Sequence, residues 1–182
     1  MSTEMYTSQL DAILRSDPII RRQFGGVFAS DTLPKKVQEG KRLFIANTDP
    51  AHKPGTHWIA FYFSPSGVCN YFDSYGREPL LKTFISFMQH NADSWIYNST
   101  PLQHPGSVVC GQYCVMFGHC MSRGSSMSKF ASLFDYNKRF NDQMVLNYVQ
   151  HHFPPHYGKT SEHSQGCCSI IKSPHHTFWY NI

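Results

Sequence analysis

One cysteine sits where nucleophilic chemistry is easiest to arrange. Cys110 follows a loop, residues 99–109, that contains Pro101 and Pro105-Gly106, and it opens a run of apolar character reaching about Arg123. Tyr113, Cys114, Phe117, Cys120 and Met121 recur there at helical spacing, so the run predicts a helix with Cys110 at its N-terminus. Unpaired N–H groups and the positive end of the helix dipole favour a thiolate at that position. Gly111 lets another chain approach closely. Cys114 and Cys120 lie four and ten residues further along and read as buried structural thiols.

A base and its orienting carboxylate are legible in a hairpin. Residues 57–63 and 68–73 read as strands joined by Ser64-Pro65-Ser66-Gly67. Pairing symmetric about Pro65 sets Phe63 opposite Gly67, Ile59 opposite Tyr71 and His57 opposite Asp73. Directly opposed residues share a face, with Cβ atoms about 4.5–5.5 Å apart. Such a pair is the base and orienter of a catalytic triad, on condition that the register holds. Gln103, on the loop seven residues before Cys110, can offer its amide to a developing oxyanion beside the N–H groups of the helix start.

Other groupings carry less. Cys110, Cys114, His119 and Cys120 resemble metal-ligand spacing, but on one continuous helix they spread around the axis, so no metal is expected. Cys167-Cys168 with His163, His175 and His176 is looser, since adjacent cysteines rarely hold one ion. Trp58, Phe61, Tyr62, Phe63, Tyr71 and Phe72 could form a base-stacking platform, though an aromatic sheet core explains them better.

The elements around these residues read as α+β: a mixed β-sheet packed against helices. Residues 6–15 predict a short helix with Leu10, Ile13 and Leu14 on one face, broken at Pro18. Phe24-Gly25-Gly26-Val27-Phe28 reads as a turn region and 42–47 as a strand. Residues 79–90 predict a helix burying Leu80, Leu81, Phe84, Phe87 and Met88, and 95–98 a short strand. A Ser-rich stretch at 122–128 ends the helix that Cys110 starts. A last helix over 138–152 presents Phe140, Met144, Tyr148 and His151, and Pro154-Pro155 stops it. The expected organisation is one domain over 1–157 and a Ser-, His- and Gly-rich tail over 158–182.

Length and composition agree with one folded domain: 182 residues, 41% hydrophobic and 15% aromatic. A net charge of +4 without a long basic run permits contact with nucleic acid and does not argue for it. The N-terminus lacks a signal-like pattern, and no apolar stretch approaches the ~18 residues of a membrane span. The six cysteines therefore read as thiols of a reducing compartment, in a chain that is not secreted and makes no membrane contact. A monomer is expected, because no heptad or repeat suggests assembly.

Three segments together resemble the adenovirus protease (adenain) family, and more distantly the ubiquitin-like-protein proteases. They are Ile45–Thr48 leading to Gly55-Thr56-His57-Trp58-Ile59-Ala60-Phe61, then Tyr71-Phe72-Asp73-Ser74-Tyr75-Gly76, then Gln103 through Phe117. The order His, acid, Gln, Cys is the family's, and Arg139-Phe140-Asn141-Asp142-Gln143 looks like its C-terminal helix. The acid departs from the adenovirus pattern: Asp73 stands where those enzymes use Glu, and ubiquitin-like-protein proteases use Asp. The chain could therefore come from a relative such as a Polinton/Maverick element or another large DNA virus.

The resemblance implies an adenain-like cysteine protease fold, with the nucleophile at the N-terminus of a central helix. It implies catalysis by His57, Asp73 and Cys110, an oxyanion donor in Gln103, and site-shaping by Trp58 beside Gly111. It further implies a cysteine endopeptidase cutting after small residues such as glycine in virion or capsid precursor proteins, within the virion and host nucleus. No cofactor is needed for the chemistry, while an activating peptide and DNA are implied as partners. Two other functions stay open: an isopeptidase acting on ubiquitin or ubiquitin-like proteins, and a non-catalytic capsid- or DNA-binding scaffold.

Overall fold

The structure, a computed structural model, describes residues 4–154. The tail, its cysteines and histidines, and the boundary at 157/158 lie outside the described residues. A five-stranded sheet in the order β1-β2-β3-β4-β5 organises the chain. Its strands are β1 (Phe24–Phe28), β2 (Leu43–Asn47), β3 (Trp58–Phe63), β4 (Val68–Phe72) and β5 (Ser94–Tyr97). The outer pairs β1/β2 and β4/β5 are parallel and the inner pairs antiparallel, so the sheet is mixed and the class is α+β.

Helices cover both faces, which is why β2 and β3 are buried at every residue and read as continuous apolar runs. On one face lies α3 (Lys82–Asn91), closing a core of Phe44, Phe61, Phe63, Tyr71, Phe84 and Phe87, with several rings meeting edge to face. These edge-to-face contacts make Phe61, Phe63 and Tyr71 core residues. On the other face α4 (Cys110–Ser122) runs against β3, and Phe72 stacks on Phe117 at 4.7 Å. Around α4 pack α1 (Thr7–Ser16), α2 (Pro18–Gln23), α5 (Met127–Ala131) and α6 (Lys138–His152). All thirteen residues of α4 are buried, so its face is not a stripe but the whole circumference.

Several elements differ from the expectation. Pro18 does not merely break a helix: it starts α2, where its missing N–H costs nothing, and the Asp17 side chain caps Ile19 and Ile20. Residues 24–28 form a strand rather than a turn, with the register shifting between Phe24 and Gly26. The glycines there serve close packing. A Cβ on Gly25 would run into the Phe44 ring, and Gly26 has φ 136° at the shift. Gly25→Ala is therefore expected to destabilise the fold by about 1–3 kcal/mol, read as a lower denaturation midpoint at unchanged slope.

Leu80 and Leu81 precede α3 and are exposed, so only Phe84, Phe87 and Met88 of the expected face are buried. The Ser-rich stretch does not only end α4: the Ser126 side chain caps α5 by accepting from the Lys129 N–H. In α6 the buried residues are Asn141, Asp142, Val145 and Val149, not the stripe through Phe140. Polar Asn141 and Asp142 are buried because they bind the loop ahead of α4, a partner invisible to periodicity.

The hairpin register differs by two residues. Phe61 pairs with Tyr71 and Phe63 with Cys69, so the centre is Ser66 rather than Pro65. The cause is the turn: Ser64 N–H donates to Val68 O at 2.9 Å, and Gly67 adopts φ 79°. That is a three-residue loop ending on a left-handed residue. A slip of two preserves the side-chain parity of the strands, whereas a slip of one would have inverted it.

Candidate active site

His57 stands immediately before β3 and Asp73 immediately after β4, at the same end of the hairpin. In the actual register they are diagonal rather than directly opposed, and they still meet: His57 Nε2 lies 2.9 Å from Asp73 Oδ1. Both are nearly buried. The same Oδ1 accepts the Tyr75 backbone N–H at 2.7 Å, and the Tyr75 ring stacks on His57 at 4.9 Å between centroids. The imidazole is thus fixed on an edge and on a face.

Cys110 is the first residue of α4, 7% exposed, and no side chain caps that helix start. Cys110 lies near enough to His57 for its thiol to act on the charge state of the ring. Nε2 is taken by Asp73, which leaves Nδ1 without a hydrogen-bond partner among the contacts of the described residues. Burial alone lowers the His57 pKa and is the largest single effect. Hydrogen bonds and charge from Asp73 and Cys110 outweigh it and push the ring from 6.5 up to about 9.

Gln103 is fully buried and does not line the open cavity. Its Oε1 accepts from the Ser74 hydroxyl at 2.6 Å, while its Nε2 donates toward Ser107 O at 2.9 Å, Ser107 Oγ at 3.1 Å and Tyr75 OH at 3.2 Å. Its connection to Cys110 and His57 runs through Tyr75 and Ser107, both of which line the cavity onto which Cys110 opens. That cavity holds about 620 Å³ and is walled by the N-terminal segment, by Asn47 and 54–56, and by Trp58, Tyr75 and Val108.

Trp58 and Gly111 both anchor the N-terminal segment. The Trp58 indole N–H donates to Met5 O at 2.9 Å, and a Cβ on Gly111 would come within 2.9 Å of Met5 Cβ. The close approach expected at Gly111 is thus made by Met5. Cys114 and Cys120 are buried thiols in the core, and burial pushes both thiol pKa values up, Cys114 the more strongly.

Three residues that sequence reasoning missed hold the site together. Asn98, buried just past β5, accepts from the Asp73 N–H at 3.0 Å and donates to Asp73 O at 2.7 Å. It extends the β4/β5 pairing with a side chain in place of backbone. Asn47 Oδ1 accepts from Asp49 N and Thr56 N, shaping the loop before His57. Asp142 accepts from His104 N and Tyr113 OH, tying α6 to the Gln103 loop. An Asn just past a short strand is the one local hint for Asn98. Asn98→Ala is expected to lower stability by about 1–3 kcal/mol, through unpaired buried backbone groups on Asp73. Turnover per folded molecule should fall with it, checked by active-site titration alongside thermal melting.

No family model matches the chain. It is similar to the protease of Human adenovirus D serotype 9, 29% identical over 113 residues, covering 54% of this chain and 50% of the relative. The chain thus spans about half the length of the curated relative it matches. Among solved structures it is similar to the ASFV pS273R protease, with TM-scores of 0.58 and 0.59 in two crystal structures at 18% and 17% identity. Those matches cover 84% of this chain and 69% and 68% of theirs. ChlaDub1 from Chlamydia trachomatis matches at a TM-score of 0.50 and 16% identity, covering 82% of this chain and 76% of that one. The chain is thus similar in sequence to an adenovirus protease over about half its length, and it shares its fold with the ASFV pS273R protease.

Proposed function

We propose that the chain is a cysteine endopeptidase using Cys110, His57 and Asp73. The observation that carries this reading is the buried Asp73–His57 hydrogen bond with Cys110, the first residue of α4, beside it at the wall of a cavity. His57 takes the Cys110 proton, and the imidazolium beside the sulfur favours the thiolate. The thiolate attacks a peptide carbonyl carbon, forming the C–S bond as the carbonyl π electrons move to oxygen. Asp73 holds the charged ring in place. As the C–N bond breaks, His57 returns the proton to the leaving amine. Water then attacks the thioester with His57 as base, releasing the acid and restoring the thiol.

Gln103 is the proposed oxyanion donor. Its two amide hydrogens face three acceptors, of which Ser107 O is the nearest. The second hydrogen is shared between Ser107 Oγ and Tyr75 OH, which line the cavity that Gln103 itself does not, so it meets an oxyanion when those two contacts give way. Trp58 shapes the site by holding the N-terminal segment as a cavity wall.

The proposed substrates are viral or capsid precursor proteins cut after small residues of the glycine type. Walls formed by Trp58, Tyr75 and Val108 beside Cys110 suit a slim chain there. DNA and a short capsid-derived peptide are proposed activators, and the virion and host nucleus the proposed place of action, for a monomer. A second reading, an isopeptidase for ubiquitin-like modifiers, draws on Asp73 in place of Glu and on the fold shared with ChlaDub1. The test compares turnover of a diglycine-containing capsid-precursor peptide with that of a ubiquitin-like-modifier conjugate, each with and without DNA. Preference for the free peptide supports the endopeptidase, preference for the conjugate the isopeptidase, and no cleavage of either sinks both.

A further inference from the structure

Ser74 lies between the two halves of the site, and nothing in the proposed chemistry uses it. It follows Asp73 directly, is fully buried, and donates its hydroxyl to Gln103 Oε1 at 2.6 Å. We propose that Ser74 is a positioning residue that fixes which end of the Gln103 amide is turned toward Ser107 and Tyr75, the residues between it and the cavity beside Cys110; this rests on Gln103 being the oxyanion donor.

A glutamine amide presents an N–H₂ group at one end and a carbonyl oxygen at the other, in nearly the same volume. Only the nitrogen end stabilises an oxyanion. The oxygen end would repel it. The sense of the amide is read from its partners. Ser107 O can only accept, so the end facing it is nitrogen and the end facing Ser74 is oxygen. The Ser74 hydroxyl is then a donor, and it is the only side-chain donor that holds Oε1 among the contacts of the described residues.

Ser74 is itself held in place. Its carbonyl accepts the N–H groups of Leu102 at 2.9 Å and Gln103 at 3.0 Å, so the two backbones are locked beside each other. One residue earlier, Asn98 brackets both backbone groups of Asp73. Asp73 and Ser74 are thus consecutive residues with divided tasks: the first holds the base, the second the oxyanion donor. The link matters most during reaction. When the oxyanion draws on Nε2, contacts at that end loosen, and the bond at Oε1 keeps the amide from turning over. With Ser74→Ala the oxygen end lies buried without a donor, and turning over becomes a competing state.

The experiment uses the full chain and a fluorogenic peptide carrying Gly-Gly ahead of the scissile bond. Ser74→Ala should lower kcat about 10-fold to 30-fold with KM little changed, a smaller loss than the ~100-fold or more for removing an oxyanion donor by Gln103→Ala. In the Gln103→Ala background, Ser74→Ala should have no further effect on kcat. Ser74→Thr keeps the hydroxyl and should recover most of kcat if it folds. Alkylation of Cys110 by iodoacetamide across pH reads the Cys110–His57 pair without an oxyanion, and Ser74→Ala should leave that profile unchanged. An additive loss in the double variant, or an altered alkylation profile, would mean that Ser74 acts through Asp73 or through general stability, and overturns the proposal. If Gln103→Ala leaves kcat intact, the oxyanion reading itself fails, and the proposal fails with it for a distinguishable reason.

Discussion

Cys110→Ala is expected to reduce peptide turnover by roughly a million-fold, to the limit of detection, while the protein stays folded. The size follows from losing the proposed nucleophile of a site whose members would act as a unit, where removing one member costs about as much as removing all. The fold should tolerate the change. Cys110 contributes a small side chain at the edge of the core, next to a cavity, and the loss of one sulfur there creates little new void. The measurement is kcat for purified protein, with circular dichroism and melting temperature compared with the parent. His57→Ala should match it in size, and the double variant should be no worse than either. A Cys110→Ala protein retaining more than a hundredth of the parent turnover would falsify the nucleophile assignment.

Asp73→Asn carries the second largest expected effect, a loss of about 10²–10⁴ in kcat. Asn preserves the shape, and its oxygen can still accept from His57 Nε2 and from the Tyr75 N–H. What it removes is the negative charge. In the parent, burial lowers the His57 pKa, and Asp73 with Cys110 more than reverses that to reach about 9. Without the carboxylate, burial should prevail over the remaining contribution of Cys110, and the ring should titrate well below 9. Proton NMR of the imidazole reads this directly.

The stability consequence has a definite sign. A raised pKa in the fold contributes stability that is fully present below about 6.5 and is lost as pH rises through about 9. The parent should therefore lose part of its stability between those values, and Asp73→Asn should show a flatter profile across the same window. A parent profile that is flat from pH 6.5 to 9 would contradict the charged-imidazole account. So would an Asn variant whose His57 still titrates near 9.

Much of the arrangement was legible in residue order and periodicity. The helix start at Cys110, the hairpin carrying His57 and Asp73, and the stripe of Leu10, Ile13 and Leu14 all follow from local pattern. Local pattern suffices there because a helix or strand returns to the same face every 3.6 or 2 residues, whether or not the opposite face is buried too. It also explains why a mis-set turn did not separate His57 from Asp73: the error was two residues, and strand parity has period two.

The tertiary structure decided what depends on residues far apart in the chain. The strand at 24–28 exists because β2 lies parallel beside it and Phe44 fills the space a side chain on Gly25 would take. The buried side of α6 turns toward the Gln103 loop because Asn141 and Asp142 bond Leu102 and His104 there. Asn98 reaches Asp73 across 25 positions, Ser74 reaches Gln103 across 29, and Trp58 reaches Met5 across 53. Each of these is a polar pairing whose direction depends on where two distant backbones come to rest. Periodicity fixes which side of an element is buried. A buried hydrogen bond needs a donor and acceptor within about 3 Å and aligned, and only the folded chain sets that distance.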